Sequence, residues 1–180
     1  MTQTVTPELL SRLLDEYGAA LELFASQWTE TPDDCVQEAF LQLVRQSKPP
    51  EQIVPWLFRV VRNRAISLRR SSQRRQRHES AAAMERPSWF QTETNSLIDD
   101  AKLTEALRSL SDEHREVIVA KIWGGLPYEQ IAEVVGVSRS SAHRRYEAGL
   151  RILRERLGLT CQNEAVQNKT ATSSLNSNVS

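Results

Sequence analysis

The run from Tyr128 to Leu157, YEQIAEVVGVSRSSAHRRYEAGLRILRERL, restricts the fold more than any other part of the chain. Pro127 stands at a favourable first helical position, and Ile131, Ala132 and Val135 give a short apolar face. Gly136 supplies the sharp turn, because a residue without Cβ adopts positive φ at little steric cost. Val137 fills the angle and Ser138 is placed to cap the next helix. A short helix, a glycine turn and a capped second helix predict a helix-turn-helix. In the second helix Ala142, Tyr146, Gly149, Leu150, Leu153 and Leu157 share one face, which must be the packed one. Ser140, Arg144, Glu147 and Arg151 lie opposite, with Ser141 and Ala148 beside them and Arg139, His143 and Arg145 on the flanks or first turn. A helix seated in the major groove presents its outward N-terminal residues to base edges and its flanks to phosphates. Arg144 can donate two bonds to a guanine, and Glu147 can accept one from a cytosine amine. The bland alternative is a solvated polar face on a structural hairpin; glycine turn, serine cap and phase together favour DNA reading.

The net charge is zero, which at first argues against a nucleic-acid partner, but the distribution of charge argues the other way. Nine acidic and three basic residues occupy Met1 to Phe58, whereas Arg59 to His78 holds eight arginines and no acid. Acidic character returns through Glu79 to Glu113, and arginines again dominate from Arg139 to Arg156. Two basic patches in an otherwise acidic chain point to DNA.

Upstream, Leu9, Leu10, Leu13, Leu14, Tyr17, Leu21 and Phe24 recur at three- and four-residue steps, and Thr6-Pro7-Glu8 opens this helix with a cap, a proline and an acid. A second helix is expected over about Asp33 to Gln46, with Val36, Phe40, Leu43 and Val44 buried and Asp34, Glu38, Gln42 and Arg45 outward. Leu41 sits at the border of that acidic face, which is either plain solvated surface or a protein-docking face. Lys48-Pro49-Pro50 ends it, and a third helix is expected from Pro55 to about Arg70, burying Leu57, Val60, Val61, Ala65 and Leu68. Its second face carries Trp56, Arg59, Asn63, Ser67 and Arg70, with Arg62 and Arg69 nearby. Arginines with an amide and an aromatic suit single-stranded or distorted DNA, although a lone tryptophan in the place of Trp56 is more often core.

Ser71 to Thr94 lacks periodicity and reads as a linker carrying Met84, Trp89 and Phe90. A second helical block is expected from near Ser96, with Leu103, Leu107 and Leu110 in a stripe and Ser111-Asp112 capping a helix that carries Val117, Ile118, Ala120 and Ile122. Thr160 to Ser180 is polar and expected to be a disordered tail. The reading is therefore all-α: two small helical domains joined by a flexible linker. No strand-period segment or internal repeat is present.

Cys35 and Cys161 are far apart, and His78, His114 and His143 are scattered, so no metal site, cofactor site or catalytic constellation is expected. No apolar run approaches the ~18 residues that span a bilayer. The N-terminal MTQTVTPELL lacks a basic stretch before an apolar core, so neither membrane insertion nor a secretory signal is expected and the cytoplasm is the expected location.

The segments DDCVQEAFLQLVRQ, PWLFRVVRNRAISLRR and LRSLSDEHREVIVAKIWGGLPYEQIAEVVGVSRSSAHRRYEAGLRILRERL, in this order, resemble regions 2 and 4 of sigma-70-type RNA polymerase sigma factors. The spacing resembles the small two-domain group called extracytoplasmic-function (ECF) sigma factors, which lack a third domain between the two. The resemblance implies region 2 over 6–75, a linker over 76–95, region 4 over 96–159 and a tail over 160–180. It implies that Asp33, Asp34, Gln37, Glu38 and Phe40, with Leu41 beside them, dock on the clamp helices of core RNA polymerase. Trp56, Arg59, Asn63 and Arg64 would open and read the promoter minus-10 element, together with Arg62, Ser67 and Arg70, and Asn63 would line a pocket for a flipped base. Ser138, Arg139, Ser140, Ser141, His143, Arg144, Arg145, Glu147 and Arg151 would read the minus-35 element. The linker would thread polymerase channels, and an anti-sigma protein is a further partner of the kind such factors have. Cys35, His143 and the Ala148-Gly149 pair depart from the residues usual in the family, so its promoter preferences are not carried over. The rival readings are a stand-alone helix-turn-helix regulator and an adaptor that captures polymerase or an anti-sigma protein.

Overall fold

The computed structural model describes residues 5–78 and 100–159. Every regular element among them is helical: α1 (Pro7–Ala25), α2 (Pro32–Val44), α3 (Ile53–His78), α4 (Asp100–Arg108), α5 (Asp112–Ile122), α6 (Tyr128–Val135) and α7 (Arg139–Arg156). The expected linker centre, with Met84, Trp89 and Phe90, the residues just before Asp100 and the polar tail lie outside the described residues.

The N-terminal half is a three-helix unit. Thr6 caps α1 by accepting the Leu9 N–H on its Oγ1 at 3.3 Å, with Pro7 in the first turn. Pro32 opens α2, where Asp33 and Asp34 complement the positive helix end. Leu21, Phe24, Cys35, Leu43, Leu57, Phe58 and Val61 are fully buried between the three helices. Phe24 meets Trp28 and Phe58 edge-to-face at centroid distances of 5.4 and 5.1 Å, the geometry that aromatic quadrupoles favour. Three expected core residues are not core: Leu14, Val44 and Ile122 are each about half exposed. Leu14 and Val44 sit at the rim of their apolar stripes, and Val60 and Leu68 are only partly buried. α3 also runs on past Arg70 to His78, because Ser71 to His78 contains no glycine or proline and is rich in good helix formers.

Cys35 lies in this core, and burial pushes its thiol up from 9.0 to about 11, against the opposing pull of Arg64. The neutral thiol's contribution to stability is thus whole below pH 9.0 and lost as pH rises through about 11. Cys35 should resist alkylation by iodoacetamide at pH 8 in the native state and react only on unfolding. Mass spectrometry of labelled protein checks this, and rapid native labelling at Cys35 would contradict the burial.

The C-terminal half is built around α5, which is buried on all sides from Arg115 to Ala120. α6 and α7 form the expected helix-turn-helix. Pro127 is the residue just before α6. Gly136 has φ 75° and ψ 41°, and both its N–H and that of Val137 bond the Ala132 carbonyl. Ser138 Oγ accepts the Ser141 N–H at 3.2 Å, as a capping serine should. Ser111 takes the cap position of α5, but its Oγ engages His114 Nδ1 instead, at 3.0 Å.

The halves are packed against each other. α3 lies on α6 and α1 on α5, and one apolar core continues from Leu13 to Ala142. Gly124, buried after the end of α5, lets the two halves approach closely. A Cβ there would stand 2.6 Å from both the Ala120 carbonyl oxygen and Cζ of Phe58.

Candidate nucleic-acid interface

On α7, Ala142, Gly149 and Leu153 are buried while Ser140, Arg144, Glu147 and Arg151 are exposed, so the helical phase read from the sequence is the phase of the structure. Gly149 is there because α7 crosses α5 closely; a Cβ would lie 2.6 Å from Cδ1 of Ile118. The capping serine also orders the first turn, since Ser138 Oγ donates to Ser141 Oγ at 2.9 Å and Arg144 Nη2 donates to the same hydroxyl at 3.2 Å. A shallow groove of about 560 Å³ along this face is lined by His143, Arg144, Glu147, Ala148, Arg151 and Arg154. His143 packs on Tyr128 with ring centroids 5.0 Å apart, which orients the imidazole while leaving its edge in solvent. Arg139 pairs with Glu129 at 2.8 Å, an exposed contact of the kind a phosphate readily displaces.

On α3, Arg59, Asn63, Arg64, Ser67 and Arg70 are exposed along one side, and Trp56 is half-buried at its N-terminal end. Trp56 and Arg59 line an open groove of about 320 Å³ whose lining also includes Glu133 and Val134 of α6. On α2, Asp33, Asp34, Gln37 and Leu41 are exposed, and Leu41 shows half of its surface. Glu38 and Phe40 are half-buried beside them, and Gln42 Nε2 donates to Glu38 Oε1 at 3.0 Å.

Arg62 and Arg145, expected among the DNA contacts, are engaged in ion pairs within the molecule. Arg62 Nε donates to Glu116 Oε2 at 2.8 Å and its guanidinium lies 5.8 Å from the Trp28 ring centroid. Arg145 faces the other oxygen of the same carboxylate at 3.7 Å and pairs with Glu113 at 3.0 Å. The Glu116 side chain is only 4% exposed. Burial pushes its carboxyl above the ordinary range, and Arg62 and Arg145 hold the rise in check. Arg69 bonds Asp112 across the same seam. Sequence reasoning missed this network, and it missed Arg115. Arg115 is buried and donates to the carbonyls of Leu107 (2.8 Å), Arg108 (3.0 Å) and Leu110. The available signal was the charged pair Arg115-Glu116 set directly before the apolar run Val117 to Ala120.

Among the described residues every regular element is helical, and a capped, arginine-bearing helix after a glycine turn is exposed together with a second arginine-faced helix, which is the make-up of a DNA-reading transcription factor as a class. Residues 12–75 match Sigma-70 region 2 and residues 100–153 match Sigma-70, region 4. The ECF RNA polymerase sigma factor SigL of Mycobacterium tuberculosis is 32% identical over 166 residues, covering 84% of this chain and 92% of SigL. The chain belongs to the sigma-70 family, within its ECF group, whose members direct promoter-specific transcription initiation. The RNA polymerase sigma factor CarQ of Myxococcus xanthus is 31% identical over 135 residues, 70% of this chain and 74% of CarQ. The fold is shared with the sigma factor RpoE of Bartonella quintana, solved in complex with the anti-sigma factor NepR, at TM-score 0.73 and 22% identity over 87% of this chain and 100% of that one. It is shared as well with CnrH, solved with the cytosolic domain of CnrY, at TM-score 0.55 and 20% identity over 87% and 92% of the two chains. No described helix is long and apolar enough to cross a membrane.

Proposed function

We propose that this sigma factor divides promoter recognition between two helices and docks on polymerase with a third. α7 reads the minus-35 element in the major groove through Ser140, Arg144, Glu147 and Arg151, while Ser138, Arg139, Ser141, His143 and Arg145 serve its flanks. α3 engages the minus-10 element through Trp56, Arg59, Arg62, Asn63, Arg64, Ser67 and Arg70, with Asn63 receiving an extruded base. Holding such bases offsets an unstacking cost of a few kcal/mol per base. α2 presents Asp33, Asp34, Gln37, Glu38, Phe40 and Leu41 to core RNA polymerase. The division runs as region 2 over 6–75, a linker over 76–95, region 4 over 96–159 and a tail over 160–180. The bond-making chemistry belongs to the polymerase, the chain itself is no enzyme, and it acts in the cytoplasm. The anti-sigma factor NepR bound to one structural neighbour, and the CnrY domain bound to another, support a protein regulator of that kind here.

The observation that carries the reading is the exposure of Arg144 and Glu147 on the solvent side of a helix whose opposite side is fixed in the core. Arg144→Ala should weaken recognition by about 1–3 kcal/mol at one base step and relax preference there. Run-off transcription with core polymerase over promoters varied in the minus-35 element measures this, and an unchanged preference would remove Arg144 from the groove. A chain that fails to bind core polymerase would refute the proposal as a whole.

A further inference from the structure

Arg144 and Glu147 share the outward face of α7, separated by a rise of about 4.5 Å, close to the ~3.4 Å step between base pairs. Opposite charges at this spacing on a helix attract each other, and a pair between them would neutralise both before DNA arrives. The structure holds them apart. Arg144 Nη2 donates to Ser141 Oγ at 3.2 Å, one turn towards the N-terminus. The side chain facing Glu147 is His143, with Nε2 4.0 Å from the carboxylate. No ion pair joins Arg144 to Glu147 among the described residues.

The hydroxyls at the start of α7 fix the direction of every bond in this group. Ser138 Oγ accepts the Ser141 N–H at 3.2 Å and donates to Ser141 Oγ at 2.9 Å. Ser140 Oγ lies 3.1 Å from Ser138 Oγ and must be the donor there, because the Ser138 proton is committed to Ser141. Ser141 Oγ therefore accepts from both Ser138 and Arg144, which uses both of its lone pairs. Long side chains on a helix lean towards its N-terminus, the direction in which Ser141 lies from Arg144.

We infer, on the assignment of α7 to the minus-35 element, that Ser141 is a positioning residue for that reader. Its hydroxyl, itself fixed by the cap, keeps the Arg144 guanidinium off Glu147 and so presents a donor and an acceptor to neighbouring base pairs. A guanidinium offers only donors and a carboxylate only acceptors. Kept apart, they select guanine at one step and an amine-bearing base, cytosine or adenine, at the next. Paired with each other, they would select neither. The Ser141 bond is exposed and modest, but so is the pair it prevents, since arginine before glutamate is the less favoured order along a helix. A modest bond is enough to decide between them.

Ser141→Ala tests this, because it removes the hydroxyl but keeps the backbone N–H that Ser138 caps. Ser141→Thr restores the hydroxyl, and circular dichroism first establishes that each variant is folded. The assay uses the full-length chain with core RNA polymerase on a promoter that the factor transcribes, its minus-35 element randomised and each copy barcoded in its transcript. Transcript counts then give the base preference at every step. Ser141→Ala should lower the guanine preference, at the step that Arg144→Ala identifies, by about two- to fivefold, the worth of one modest hydrogen bond. Ser141→Thr should keep that preference. In the Arg144→Ala background Ser141→Ala should change it no further. In the Glu147→Gln background the loss should shrink, because an amide carries no charge to capture the guanidinium. A Ser141→Ala variant that lowers transcription on all promoters alike, with preferences intact, overturns the inference in favour of a plain phosphate contact. An equal loss in the Glu147→Gln background overturns it as well. Arg144→Ala without effect on any base preference removes the assignment of α7 and the inference with it, whereas an effect of Arg144→Ala with none of Ser141→Ala overturns the inference alone.

Discussion

Phe58→Ala is expected to lower folding stability by about 3–5 kcal/mol, the range for truncating a buried aromatic. Phe58 is fully buried on α3, and its ring stacks edge-on to Phe24 while its tip reaches the position where a Cβ on Gly124 would be. Removing the ring opens a cavity walled by both halves of the molecule. Neither half can fill it alone, because Phe24 is held by Trp28 and the Gly124 segment by backbone bonds from Gly124 and Leu126 to α5 carbonyls. Urea unfolding measures the loss, and Phe58→Leu, which keeps much of the volume, should cost less than half as much. A cost below about 1 kcal/mol for alanine would mean that the ring is not packed as described.

Arg115→Met is expected to destabilise the C-terminal half by roughly 1–3 kcal/mol, the cost of leaving the buried Leu110 carbonyl without its Arg115 donor, since the Leu107 carbonyl keeps the Leu110 N–H. The guanidinium serves as the end cap of α4. Leu107 and Arg108 close that helix, Leu110 follows it, and all three carbonyls accept from Arg115. Burial depresses the pKa of this guanidinium, and the neighbouring Asp112 carboxylate opposes that effect. Methionine keeps the apolar stem of the side chain, so the loss reads mainly the guanidinium's hydrogen bonds and its ion pair with Asp112. Thermal unfolding, with hydrogen exchange at the α4–α5 turn, should show the damage concentrated there. Intact protection at that turn would assign the carbonyls other donors.

Much of the site was legible in the sequence because helical phase converts directly into faces. Gly136, Ser138 and the apolar set Ala142, Gly149 and Leu153 determined which side of α7 is outward, and the structure exposes Ser140, Arg144, Glu147 and Arg151 there. The same logic misplaced Leu14 and Val44, since the width of an apolar stripe depends on how much surface the neighbouring helices cover. The end of α3 was missed for another reason: a serine- and arginine-rich segment without breakers has helical propensity but no apolar period to announce it. Contacts between distant segments left no local trace at all. Arg62 and Asn63 are neighbours in one basic helix, yet one is tied to Glu116 and the other is exposed, a distinction that depends on where α5 lies. Periodicity likewise could not show that the two halves share a core, because each stripe is satisfied equally well by partners from either half.

The fit of Phe58 against Gly124 ties the sizes of two residues that belong to different regions of the chain. Regions 2 and 4 are therefore not exchangeable parts in this protein. A region 4 borrowed from a relative that carries a side chain at the position of Gly124 would meet the Phe58 ring, and the hybrid would fold with its halves held apart.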